Sequence, residues 1–160
     1  MLRYHLGWAD ASGQPSQGAT GKALRPTLCL LACEAVGADY RQALPAAAAL
    51  ELVHNFSLVH DDIQDGDRER RHRATVWSLW GPGQGIITGN ALRSLASLAL
   101  LRLEGSRERQ LQALRLLDEA CLEMIEGQYL DLAYETQAAV TLEQYLAMIS
   151  RKTAAFIRCS

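Results

Sequence analysis

Asp61, Asp62 and Asp65 close an otherwise apolar stretch, LVHNFSLVHDDIQD, and are followed at once by Arg68, Arg70, Arg71 and Arg73 with His72 among them. At 3.6 residues per helical turn, His54, Asp61 and Asp65 fall within one narrow arc, so an imidazole and two carboxylates line one stripe. Acids at the C-terminal end of a helix oppose its dipole and repel one another, so a cation should offset them. Hard oxygen donors without cysteine suit Mg²⁺, which takes one or two carboxylates and completes its shell with water and phosphate oxygens. The guanidinium forks beside them supply the rest of a polyphosphate site, since arginine binds such oxygens in pairs. A second cationic pair, Lys22 and Arg25 in GKALRP, suggests a second anion, hence two phosphorylated substrates. The plainer alternative is a solvated, charged helix end.

The elements that must carry these residues read as helices. A short N-terminal helix precedes a small, polar, turn-forming stretch at 10–21, and the first ordered unit after it begins near Lys22. Pro26 suits a first helical turn and Gly37 its stop, while Pro45 opens the helix that ends near Gly66 with the aspartates. DRERRHRATVW reads as a basic loop, and after GPGQ a helix runs to a stop at Gly105. The next helix places Leu111, Leu114, Leu117, Cys121, Met124 and Ile125 along one side. Thr141 and Gln144 form a capping box for a last helix, TLEQYLAMISRKTAAFIRCS. With no convincing period-two alternation and no internal repeat, the expected fold class is all-α, an antiparallel helical bundle with short turns.

Composition narrows the function classes. At 160 residues and 49% hydrophobic content the chain can bury the core of one domain. A net charge of −2, from 16 basic and 18 acidic residues, gives no global field to hold nucleic acid, so any anion must be held by a local cluster. Cys29, Cys33, Cys121 and Cys159 show no zinc spacing and read as buried free thiols, which favours a reducing compartment and a cytoplasmic protein. No window is long and apolar enough for a membrane span.

The string LVHDDIQDGDRERRH resembles the first aspartate-rich signature of the trans-prenyl diphosphate synthase family, D-D-x-x-D and then R-R-G/H, with Asp61, Asp62 and Asp65 followed by Arg70, Arg71 and His72. GKALRP at 21–26, ELVH at 51–54, EGQYLD at 126–131 and RKTAA at 151–155 agree in order and spacing. The resemblance implies that residues 1–160 are the N-terminal portion of one polyprenyl synthase domain, a homodimeric isoprenoid-synthase bundle whose second aspartate-rich motif is absent here. It implies Mg²⁺ at Asp61 and Asp65, gripping an allylic diphosphate, with Asp62 the weaker ligand. Arg70 would touch the allylic diphosphate and Arg71 the isopentenyl diphosphate, whose pocket Lys22, Arg25 and His54 complete. Lys152 and Thr153 would lie near the allylic diphosphate and the nascent carbocation, with Gln128 close by. Phe56, five residues before Asp61, would block the tunnel for the growing tail and favour short products, C15 to C20.

Two positions depart from the family pattern. Ala74 stands where the family usually has proline, and Asn90 replaces the carboxylate of G-D-x-L. The abrupt end in an apolar helix reads as a partial chain, inactive alone. Two other functions fit less of the sequence. A helical metal-dependent phosphohydrolase built on the His60–Asp61 dyad leaves Asp62, Asp65 and the arginines without a role. A non-catalytic partner or gene fragment keeping half a site would explain the single aspartate-rich motif. His5, His60, Trp77 and Trp80 are expected to pack rather than react.

Overall fold

The computed structural model describes residues 1–18 and 21–160; Ala19 and Thr20, part of the polar stretch at 10–21, lie outside the described residues. Helices dominate, as the apolar spacing requires. The short α1 (Leu2–His5) is followed by turns around an isolated bridge between Ala9 and Pro15. α2 (Leu24–Ala35) has Pro26 in its first turn and Gly37 at φ 83° just past its end. A 3-10 turn at Tyr40–Ala43 leads into α3 (Leu44–Gln64), which starts on Pro45 and stops at Asp65 and Gly66.

The expected basic loop has structure of its own. Glu69–Arg70 (β1) and Arg73–Ala74 (β2) pair antiparallel in a two-residue hairpin whose turn residues, Arg71 and His72, both have positive φ (53° and 61°). A second addition is α4 (Val76–Trp80), one short helix before Gly81. Both units are too short for a hydrophobic period to register, which is why the sequence reads as a loop. α5 (Pro82–Leu100) begins on its own proline, and α6 (Arg107–Glu135) is capped by the Ser106 hydroxyl, which accepts from the Arg109 amide.

α7 (Leu142–Ile149) opens on the expected capping box, with Thr141 accepting from the Gln144 amide and Gln144 from that of Thr141. The last helix is not continuous: Ser150–Ala154 widens into a π-helical segment before α8 (Ala155–Arg158). A π-bulge inserts a residue that helical spacing cannot reveal, and such bulges favour functional sites.

α3 and α5 run antiparallel, since Ile63 meets Gly85 and His60 meets Gly89. α6 runs antiparallel to the last helical stretch, with Glu126 facing Arg151 and Glu123 facing Arg158. The core between them holds Leu50, Val53, Phe56, Val59, Leu92, Leu117, Cys121, Met124 and Phe156. Of the apolar stripe expected on α6, Leu117, Cys121 and Met124 are buried, whereas Leu111 and Ile125 are exposed. All four thiols are free; Cys121 is fully buried and the other three partly so.

Candidate active site

The C-terminal half of α3, the middle of α6 and the π segment enclose a cleft of about 510 Å³. Arg25, His54, Asp61, Asn90, Gln128, Lys152 and Thr153 give it polar groups. Phe56, Leu58, Met124, Ile125 and Leu132 line it with apolar ones. Glycine makes this assembly possible. A Cβ at residue 127 would run into the backbone of Lys152 and Arg151, so α6 and the π segment touch main chain to main chain there. Similarly, Gly89 leaves room for the His60 ring, which hydrogen-bonds the Ile86 carbonyl oxygen at 3.3 Å and sits edge-on to Phe56, centroids 4.8 Å apart. His60 therefore packs, as expected, but it also lines the cleft.

A second cavity, of about 480 Å³, opens beside the first and shares Arg25 and His54 with it; Lys22, Glu51 and Arg71 complete its walls. The residues expected to bind one diphosphate are thus brought together, four of them in one basic pocket. Three cations, Lys22, Arg25 and Arg71, face one carboxylate, Glu51, across it. Burial, reinforced by Arg25 and Arg71, holds His54 down to about 4, so the imidazole is neutral and the pocket's cations are fixed ones. Burial also lowers the Arg25 pKa, and its Nε is buried without a hydrogen-bond partner among the described residues. A guanidinium N–H left unpaired in such a place is poised for an oxygen.

The aspartates separate into different roles. Burial pushes Asp61 up to about 6; Lys152 opposes the rise and Asp65 adds to it. Asp65 is the exposed C-cap of α3 and does not line the cleft. Asp62 is 1% exposed and turned away, accepting a hydrogen bond from Arg70 Nε at 2.5 Å; burial raises its pKa against the pull of that arginine. Asp62 and Arg70 therefore hold each other instead of facing the cleft, because residues 61 and 62 lie about 100° apart on a helix. Lys152 is likewise paired, with Asp131, one turn beyond Gln128. That partner, Asp131, has no expected role in the sequence, although it ends the EGQYLD motif three residues after Gln128.

Among the described residues no cluster of three or more His, Cys, Asp or Glu side chains is arranged to hold a metal. Half-buried Asp61 and exposed Asp65, four residues apart on one helix face, do fit a Mg²⁺ ion that takes its remaining ligands from phosphate and water.

A family model described as polyprenyl synthetase matches residues 8–160, and the chain belongs to that family. It is 47% identical over 160 residues to the (2E,6E)-farnesyl diphosphate synthase of Mycobacterium tuberculosis H37Rv, covering 100% of this chain and 44% of that protein. It is 46% identical over 135 residues to the geranylgeranyl diphosphate synthase of Methanosarcina mazei, covering 84% and 42% of the two chains. The crystal structure of polyprenyl synthetase from Streptomyces coelicolor A3(2) superposes with a TM-score of 0.90 at 48% identity, over 98% of this chain and 46% of that one. The chain thus spans less than half the length of these relatives.

Proposed function

We propose that the whole protein is a Mg²⁺-dependent prenyltransferase that condenses isopentenyl diphosphate with an allylic diphosphate to give a short prenyl diphosphate, C15 to C20. The observation that carries this reading is the joining of two cavities at Arg25 and His54, one basic and one with a carboxylate rim over an apolar floor. The family membership and the names of the two relatives support it.

Lys22, Arg25 and Arg71 hold the diphosphate of the isopentenyl substrate, and neutral His54 donates a hydrogen bond to it. Asp61 and Asp65 hold Mg²⁺ at the allylic diphosphate, with Asp62 limited to positioning Arg70 unless that pair opens. Mg²⁺, when bound, supplies positive charge where the leaving group becomes more negative. Lys152, once released from Asp131, and Thr153 add hydrogen-bond donors on the same side, and Gln128 lies beside them. As the allylic C–O bond breaks, its electron pair leaves with diphosphate. The isopentenyl double bond attacks the allylic cation, and the proton lost afterwards passes to the released diphosphate. Phe56, Met124, Ile125 and Leu132 keep water from that cation. Phe56 closes the floor and limits the tail.

The protein is further proposed to be a cytoplasmic homodimer. Its free thiols support a reducing compartment, and the exposed Leu95, Leu98, Leu116 and Leu122 on α5 and α6 support contact with a second copy. No described helix is long and apolar enough to cross a membrane. Residues 1–160 carry one aspartate-rich motif, so this chain alone should show little turnover. The test is an assay of the whole protein with geranyl or farnesyl diphosphate, labelled isopentenyl diphosphate and Mg²⁺. Labelled C15 to C20 product, lengthened in Phe56→Ala, is expected. No product would refute the reading, and unchanged length in Phe56→Ala would remove that residue from it.

A further inference from the structure

Residues 1–18 line neither the cleft nor the basic pocket, yet they are tied to the arginine hairpin. Tyr4 is 8% exposed, and its hydroxyl donates to the Ala74 carbonyl oxygen at 2.7 Å. The guanidinium of Arg73 lies over its ring, 4.2 Å from the centroid, and Trp80 meets the ring edge-on at 5.1 Å. Arg73 in turn donates from Nη2 to the Ala9 carbonyl oxygen at 3.2 Å, and the Gly18 amide closes the strap on the Gly7 carbonyl oxygen at 2.8 Å. Strap and hairpin meet closely, since a Cβ at residue 18 would stand 2.5 Å from Arg73 Nη1 and displace that guanidinium. Half-buried His5 lies beside Arg70, Arg71 and Arg73, its buried Nε2 without a partner among the described residues.

The hairpin needs such a hold. Arg71 and His72 both occupy the left-handed region, where a residue with a Cβ loses about 1 kcal/mol or more, and turns of this kind ordinarily use asparagine or glycine. Two strands of two residues each cannot maintain that turn by themselves. The turn nevertheless delivers the Arg71 guanidinium against Gly21, where a Cβ would be 2.6 Å from its Nη2, and into the pocket of Lys22, Arg25 and His54.

We propose that Tyr4 is a positioning residue for the diphosphate site: by gripping β2 through Ala74 and Arg73, it holds the strained turn that aims Arg71 into the basic pocket. This rests on the reading of that pocket as a diphosphate site. The specific consequence is that loss of Tyr4 weakens anion binding only through Arg71.

The test is a double-mutant cycle on the whole protein, titrated calorimetrically with inorganic diphosphate in the presence of EDTA, so that the Mg²⁺-dependent cleft does not contribute, with a thermal melt of each variant. Arg71→Ala should weaken binding about tenfold or more, the worth of one charge-assisted contact. Tyr4→Ala should weaken it several-fold, Tyr4→Phe less because the ring still carries Arg73, and Tyr4→Ala should add nothing in the Arg71→Ala background. Should Tyr4→Ala fail to fold, the same cycle is read with Tyr4→Phe. Wild-type affinity in the Tyr4 variants alongside weakened Arg71→Ala would overturn the positioning role and leave the diphosphate site standing. An equal Tyr4 loss in both backgrounds would also overturn it, as general destabilisation. Wild-type affinity in Arg71→Ala would overturn the site and the inference together.

Discussion

Replacing Arg70 with methionine should cost about 3–5 kcal/mol of folding stability near pH 7, the range for stranding one member of a buried ion pair. Asp62 is 1% exposed, its carboxylate meets Arg70 Nε at 2.5 Å, and the second carboxylate that Arg70 meets is that of exposed Asp67, at 3.8 Å. Without the guanidinium, the chief offset to the desolvation that already raises the Asp62 pKa is gone. The pH dependence follows from that direction. Folded-state pKa above the unfolded 3.8 means that the penalty is absent below about pH 4, where the carboxyl is protonated in both states. It grows as pH rises through the raised value. The difference between wild type and Arg70→Met in urea unfolding should therefore be near 1 kcal/mol at pH 4, one lost hydrogen bond, and several-fold larger at pH 7. Adding Asp62→Leu should restore most of the loss, because an apolar pair needs no desolvation. A loss below about 1 kcal/mol at pH 7, or one that does not shrink in acid, would refute the assignment of Asp62 and Arg70 to each other.

Gly127→Ala should destabilise by about 1–3 kcal/mol through overpacking against the Lys152 backbone. Gly83→Ala, whose Cβ would meet nothing within 4 Å, should stabilise slightly; equal midpoints in urea for the two variants would contradict the close approach. His5 and His54 both drop from 6.5 to about 4 on folding, chiefly by burial. A depressed folded pKa gives stability that is full above about pH 6.5 and lost progressively as pH falls to about 4, amounting to no more than about 3.4 kcal/mol per histidine. Unfolding curves of wild type and His54→Asn between pH 7 and pH 4.5 check this, and an unchanged pH slope in the variant would count against a neutral, half-buried His54.

Helix starts and stops were legible where a single residue decides them, as Pro45, Gly37 and the Thr141–Gln144 box do. The carboxylate stripe was legible in part: three to four residue spacings put His54 and Asp61 on the cleft, but not which neighbour would capture Asp62. That capture depends on the hairpin returning Arg70 over α3, a contact between residues eight apart with no periodic signal. The same limit hid the Lys152–Asp131 pair, the π segment and the N-terminal strap, each fixed by contacts distant in sequence. Glycine at 127 carried a clue, since a helix interior gives it no other reason to be there.

The most direct test of the diphosphate site is calorimetry with inorganic diphosphate, with and without Mg²⁺, on wild type and Asp61→Ala. Asp61 at about 6 is half protonated near pH 6, so metal and diphosphate binding there should release protons, seen as heats that vary with the buffer. Mg²⁺ should tighten diphosphate binding in wild type by about tenfold or more, about 1.4 kcal/mol, and should lose that effect in Asp61→Ala. Diphosphate binding that is indifferent to Mg²⁺, or a Mg²⁺ effect that survives Asp61→Ala undiminished, would contradict a metal-bridged diphosphate at this cleft.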